Sequence, residues 1–409
     1  MNDELSKNIC LITGLFPIER EEEYFNAAKH NLMNSANTLS WGILKALIAQ
    51  NRIVDLINAP FIPSFPDNSS IRYVPYEAFK IDGVRSAENI YFNNLAFYKY
   101  RSIARHIAKA LLKWVSIDEK NRVVIIYNLY SPFLSAVIRV KKSYPDLKIV
   151  SVVPDIPKYM GFGQSIKQKL FRKVNSKLVD KALPQIDAFI FLTKYMNDAL
   201  NKFNKPWTVI EGIFQIKNLP SPNKVQPQNN IVLYSGDLSE VYGVRNLVNA
   251  FTRFHNSSCQ LIICGKGDSE KYIIEKSKTD SRIIFKGLAL HKDILELQQS
   301  ASLLVNPRDA KGEFTKYSFP SKTLEYFASG TPSLICKLPG IPEEYYKFCF
   351  CCDRMDEDTI LEQFNKIFAQ DKSTRDELGK SAQEFVLKEK TEKIQGKKIV
   401  SLVEQIENA

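Results

Sequence analysis

Two successive series of apolar strand patterns, each strand trailed by an amphipathic helix pattern, constrain what this 409-residue chain can fold into. The first series opens on NICLITGLFP (residues 8–17). It continues through a helical stretch around Ser35–Gln50, the strand-like IVDLINAP, then VVIIY (123–127), KIVSVVP (148–154), AFIFLT (188–193) and TVIEG (208–212). A polar segment rich in Pro, Asn and Gln, FQIKNLPSPNKVQPQN (214–229), interrupts it and reads as a linker. The alternation then restarts with NIVLYSGD, QLIICGKG, RIIFKG, SLLVNPR and SLICKL, with helices such as GVRNLVNAFTRFH and ILELQQSA between them. Continuous apolar strands alternating with helices imply parallel sheets covered on both faces. Two such series imply two doubly wound α/β domains facing a cleft, with ligands beyond the carboxyl ends of the strands. The expected boundaries are 1–220 and 221–385. A long polar helix, roughly Ser373–Glu407, closes the chain, its last part (386–409) crossing back to the first domain.

The stretch Tyr317–Tyr345, YSFPSKTLEYFASGTPSLICKLPGIPEEY, carries the most specific chemistry. Pro320 suits a first helical turn, because its fixed φ fits there and its missing N–H would be unpaired anyway. Ser318 and Ser321 flank it as candidate caps. Leu324, Phe327 and Ala328 make an apolar stripe, and Gly330 with Pro332 ends the helix. A helix start offers unpaired N–H groups to phosphate, and Lys322 adds a full charge. Glu325, one turn on, has the geometry to accept hydrogen bonds from two sugar hydroxyls. Arg308 directly follows the strand pattern SLLVNP, where such sheets place ligands. Gly14 and Gly236 each follow an apolar strand, where a missing Cβ admits either a ligand or an ordinary turn. Asp155 lies between Pro154 and Pro157, as a loop-orienting group or as a contact to an attacking hydroxyl.

Charge and cysteine usage narrow the classes. The net charge of +11 is confined to residues 1–220, with 30 Lys and Arg against 19 Asp and Glu; residues 221–409 balance at 26 each. An anionic partner is therefore expected on the first half. Lys158–Lys181 holds seven basic residues against one Asp, and Ile166, Leu170, Val174 and Leu178 form a stripe bordered by Lys167, Lys169, Arg172 and Lys173. That pattern fits a helix lying on anionic lipid, or a solvated helix packed on the core. No nucleic-acid module is visible, and none of the four histidines has a catalytic context. Seven cysteines without paired metal-ligand spacing read as reduced thiols, so no metal site is expected. No apolar run approaches a membrane span, and the acidic N-terminus is unlike a secretory signal.

Taken together, Gly14, VVPDIPKYMG (152–161), DAFIFLTKYMNDAL (187–200), IEGIF (210–214), LYSGDLSEVYGV (233–244), ICGKG (263–267) and FPSKTLEYFASGTP (319–332) resemble the family 4 (group 1) glycosyltransferases of the GT-B fold, similar to enzymes of capsular and exopolysaccharide biosynthesis. The resemblance implies two Rossmann-like domains and transfer of a sugar from a UDP-, GDP- or dTDP-sugar, with retention and without metal or cofactor. It implies ribose binding by Glu325 and diphosphate contact near Ser318, Phe319, Ser321 and Lys322, with Gly14 and Gly236 lining the donor. A polyprenyl-diphosphate-linked saccharide is the implied acceptor, met on the cytoplasmic face of the membrane. Two departures stand out. Tyr317 occupies a position where many relatives carry an acid, and Asp237 and Tyr242 occupy positions where many carry Arg and Lys. Lys322 and Arg308 are the cations left for the diphosphate and for catalysis. An epimerase or hydrolase of the same fold, a non-catalytic saccharide-binding protein and a nicotinamide-dependent oxidoreductase are the rival readings. The last lacks a full G-x-G-x-x-G.

Overall fold

The computed structural model describes residues 7–29, 34–96, 98–156, 175–219 and 230–408. The chain forms two compact units. One comprises Met1–Ile213 with Glu392–Ala409, the other Phe214–Thr391.

In the first unit β1 (Asn8–Thr13), β2 (Val54–Asn58), β7 (Asn121–Tyr127), β8 (Lys148–Val153), β9 (Ala188–Phe191) and β10 (Trp207–Val209) run parallel. With β5 (Ser86–Asn89) and the antiparallel edge strand β4 (Glu77–Phe79) they give the order β10-β9-β8-β7-β1-β2-β5-β4. A separate ribbon pairs β3 (Tyr73–Val74) with β6 (Phe92–Asn93). Every residue of β1 and β2 is buried, which is why these strands read as unbroken apolar runs rather than as alternating ones. Strand order reverses at β1, so the loops after β1 and β7 flank this unit's switch point.

The second unit is a six-stranded parallel sheet. Its strands are β11 (Asn230–Ser235), β12 (Cys259–Cys264), β13 (Ile283–Gly287), β14 (Leu303–Asn306), β15 (Ser333–Cys336) and β16 (Phe350–Cys352), in the order β13-β12-β11-β14-β15-β16. Helices Val244–Arg253, Lys322–Ala328, Glu357–Phe368 and Lys372–Glu389 bury Leu247, Phe251, Leu324, Phe327, Phe364 and Val386 against it. Each such apolar side chain contributes about 1.5–3 kcal/mol. The switch point lies between β11 and β14.

Two sequence expectations are corrected here. The division between units falls at Ile213–Phe214, at the start of the polar segment, and residues 220–229 lie outside the described part. The final helix is two helices, Lys372–Glu389 and Glu392–Glu407, broken at Lys390–Thr391. No Gly or Pro marks that break; tertiary contacts make it. Lys390 and Thr391 are each 3% exposed. The Lys390 carbonyl accepts from the Phe214 N–H (2.8 Å), and its ammonium meets Glu344 (3.0 Å) and lies over the Tyr345 ring (4.9 Å). The last helix packs in the first unit against Asn34–Ile48. There Glu407 takes hydrogen bonds from Arg52 (2.8 Å) and from the Lys7 N–H (3.1 Å).

Candidate functional site

The β11/β14 switch point of the second unit gathers most of the residues singled out in the sequence. Gly236 follows β11, Arg308 follows β14, and the helix Lys322–Ala328 starts beside them. The Lys322 ammonium lies 4.8 Å from the centre of the Tyr234 ring. It occupies the space a side chain at Gly236 would need, since a Cβ there would sit 1.2 Å from Lys322 Nζ. Glycine is thus required for close approach, and what approaches is a cation of the protein itself. The Tyr234 hydroxyl is committed to the Asp237 carbonyl (2.6 Å), so the aromatic face stays under the ammonium. Burial pushes the Lys322 pKa down to about 8, against the opposing fields of Glu325 and Asp237. At pH 7 the group is still charged, and an arriving anion would raise its pKa.

Glu325 is held by Gln298, whose amide donates to Oε1 from the helix His291–Ser300. Gln298 is fully buried and is itself fixed by Thr331, whose hydroxyl donates to the Gln298 carbonyl (2.7 Å). Glu325 Oε2 has no hydrogen-bond partner among the described residues, so this half-buried carboxylate is oriented with acceptor capacity to spare. Gln298 was not singled out in the sequence. Its signal there was a polar residue on the packed side of the ILELQQSA pattern.

Arg308 donates from Nη2 to Ser318 Oγ (2.8 Å), and its guanidinium lies over the rings of Phe314 (5.2 Å) and Tyr242 (5.9 Å). Tyr242 thus lies beneath a cation instead of supplying one. Asp237 turns inward on its own loop, accepting from the Ser239 N–H (2.7 Å).

Other expectations are corrected. The helix has only seven residues, begins at Lys322 and has no side-chain cap, so neither Ser318 nor Ser321 caps it and Pro320 lies before it. Ser321 is exposed. Phe319 is a core side chain packed on Tyr345, with ring centres 5.3 Å apart, and can offer a ligand little beyond its backbone.

In the first unit the space at Gly14 is taken by Phe61, whose ring would lie 2.4 Å from an added Cβ. Phe61 also meets Tyr127 (5.7 Å), Tyr130 (5.9 Å) and Phe133 (5.8 Å), an aromatic cluster at the carboxyl ends of β1 and β7. Asp155 is exposed just past β8 and adds to the burial that raises the Tyr127 pKa. Lys99, unremarked in the sequence because it reads as part of a basic helix, is buried with its ammonium on the Ile62 carbonyl. Burial pushes its pKa down to about 8. Lys167, Lys169, Arg172 and Lys173 lie outside the described residues. Among the described residues no cluster of three or more His, Cys, Asp or Glu side chains could hold a metal ion. No helix among them is long and apolar enough to cross a membrane.

Comparisons with known proteins bear on the second unit and on the fold. The model of the family described as "Glycosyl transferases group 1" matches residues 215–385. Among solved structures, the sucrose-phosphate synthase of Thermosynechococcus elongatus aligns over 98% of this chain and 99% of its own, at 15% identity and TM-score 0.68. HepE of Anabaena, solved in complex with UDP, aligns over 97% and 100% at 14% identity and TM-score 0.63. WaaG, a glycosyltransferase involved in lipopolysaccharide biosynthesis, aligns over 96% and 99% at 13% identity and TM-score 0.61. No curated protein matches the chain by sequence at a significant level.

Replacing Gly236 by Ala should expel the Lys322 ammonium from its place on Tyr234, since the atom displaced is the end of a flexible chain, at the added strain of an alanine at φ +158°. The Lys322 pKa, read by NMR titration of methylated lysines, should rise from about 8 towards the ordinary lysine value. An unchanged value would contradict this account of the glycine.

Proposed function

Residues 215–385 are a group 1 glycosyltransferase domain and the chain has the GT-B fold; from that premise we propose that the protein moves a sugar from a nucleotide-sugar to a saccharide acceptor with retention and without a metal ion. The observation that carries the donor half is the switch point itself, where a buried ammonium, a fixed guanidinium and an oriented carboxylate converge. That set matches a nucleoside diphosphate: cations for the phosphates, Glu325 for the ribose hydroxyls. Gly236 and the segment around Ser318 and Ser321 supply backbone near them. HepE was solved with UDP, which supports a nucleotide as the ligand class. UDP-, GDP- and dTDP-sugars are the candidate donors.

The chemistry follows from charge. As the bond from the anomeric carbon to the diphosphate oxygen breaks, negative charge grows on the leaving group. Lys322 and Arg308 stabilise it because they are already in place and need no reorganisation. The acceptor hydroxyl attacks from the face the diphosphate leaves, and its proton passes either to the departing phosphate oxygen or to Asp155. Asp155 serves to orient that hydroxyl or to take its proton. The acceptor belongs to the first unit, which holds nearly all of the charge excess, and a polyprenyl-diphosphate-linked saccharide of surface polysaccharide synthesis fits it. The basic stretch with Lys167, Lys169, Arg172 and Lys173 then rests on the anionic cytoplasmic face of the membrane.

A thermal-stability screen of the three nucleotide-sugar classes should give one that raises Tm. Glu325→Ala should weaken that nucleotide roughly ten- to a hundredfold, the cost of hydrogen bonds to a charged group. No stabilisation by any nucleotide would sink the transferase reading. For the membrane surface, changing Lys169, Arg172 and Lys173 to Glu should lower co-sedimentation with anionic vesicles, at about 1 kcal/mol per lost cation. Undiminished sedimentation would remove that role.

A further inference from the structure

A second cationic site lies wholly within the first unit. Helices Lys99–Ile117 and Ser131–Lys141 pack against each other, and a cavity of about 350 Å3 opens along them. Arg101 and Arg105 line it from one helix, four residues apart and so on one face. Ser131, Ser135 and Arg139 line it at the same spacing from the other, and Tyr100 joins them. Leu178, 44% exposed, lines it from residues 175–182.

The three arginines are exposed, and none forms an ion pair among the described residues. The surroundings offer little to neutralise them. Neither helix contains an acidic residue. Asp180 is the only acid in 175–182, and it does not line the cavity. Like charges four apart on a helix cost a few tenths of a kcal/mol, and a third guanidinium facing them adds to this. By contrast, Arg85 of this unit is paired with Asp55, and Arg52 with Glu407 (2.8 Å). Three convergent guanidiniums without a counter-charge are a site that awaits an anion.

The chemistry of that anion is narrow. Guanidinium forks match phosphate oxygens in bidentate fashion, and the hydroxyls of Ser131 and Ser135 are further neutral donors. The volume lies at the small end of ligand cavities, about 300–1,000 Å3, enough for a diphosphate and the first atoms of what it esterifies. Three positive charges suit a diphosphate better than a single carboxylate, and Leu178 offers an apolar edge to the organic part.

We infer that this cavity binds a diphosphate ester group, the carrier end of the acceptor, an assignment that rests on the transfer reading above. Inorganic pyrophosphate is the probe, titrated calorimetrically into the full chain carrying Lys322→Met so that the donor site is disabled. Pyrophosphate should bind this protein, and adding Arg101→Gln, Arg105→Gln and Arg139→Gln should weaken it by about tenfold or more. The same three substitutions with Lys322 intact should leave the melting curve and the stabilisation by nucleotide-sugar unchanged, which separates loss of this site from misfolding and from failure of the donor assignment. Single Arg139→Gln should give an intermediate loss. Pyrophosphate affinity indifferent to the three arginines would overturn the inference, as would no binding at all. Co-sedimentation with phosphatidylglycerol vesicles that falls in the triple variant while pyrophosphate affinity holds would assign the arginines to a lipid surface instead, and would equally overturn it.

Discussion

The ammonium of Lys322 set against the bare backbone of Gly236 is the contact on which the donor half of this protein depends. It forces a glycine at the carboxyl end of β11 and keeps the Tyr234 face beneath the charge. It also carries a cost, because burial lowers the pKa to about 8, and a partly desolvated charge is tolerated only where something offsets it. The nearby carboxylates of Glu325 and Asp237 offset part. A diphosphate would offset the rest. The arrangement is a preorganised cation whose electrostatic field is strong because water is largely excluded.

Around that contact the chain departs from the commoner pattern of its relatives in a self-consistent way. With Asp237 and Tyr242 where cations are usual, the loop after β11 supplies no charge to a phosphate. Tyr242 instead lies beneath Arg308, which Ser318 also holds. Arg308 follows β14 and Lys322 opens the short helix after it, so both of these cations lie outside the β11 loop. The first unit follows a different logic. The carboxyl ends of its strands β1 and β7 carry rings, Phe61, Tyr127 and Tyr130.

Much of this was legible in the residues. Buried parallel strands announce themselves as apolar runs, so β1, β7, β8, β11, β12 and β14 are where the pattern puts them. Glu325, Lys322 and Arg308 were marked by position relative to strands and breaks. What was not legible depends on contacts distant in sequence. The helix break at Lys390–Thr391 is imposed by Phe214 and Glu344, with no local breaker. Gly14 left room for either a ligand or an ordinary turn, and Phe61 takes that room. Phe319, Ser318 and Ser321 looked like one phosphate cradle. One is core, one holds Arg308, and one is an exposed residue at an uncapped start. Gln298 escaped because a buried amide inside an amphipathic pattern reads as an imperfection until its partner is known.

If the ammonium of Lys322 receives the donor diphosphate, nucleotide affinity must follow its titration. Only the charged form binds strongly, so affinity should fall about tenfold between pH 7 and pH 9 in the wild-type protein, through a free-state pKa of about 8. The measurement is calorimetric affinity for the stabilising nucleotide across that range, compared with Lys322→Met. The variant should bind more weakly and with a flat profile. Equal slopes in the two proteins would contradict the assignment of this cation to the diphosphate.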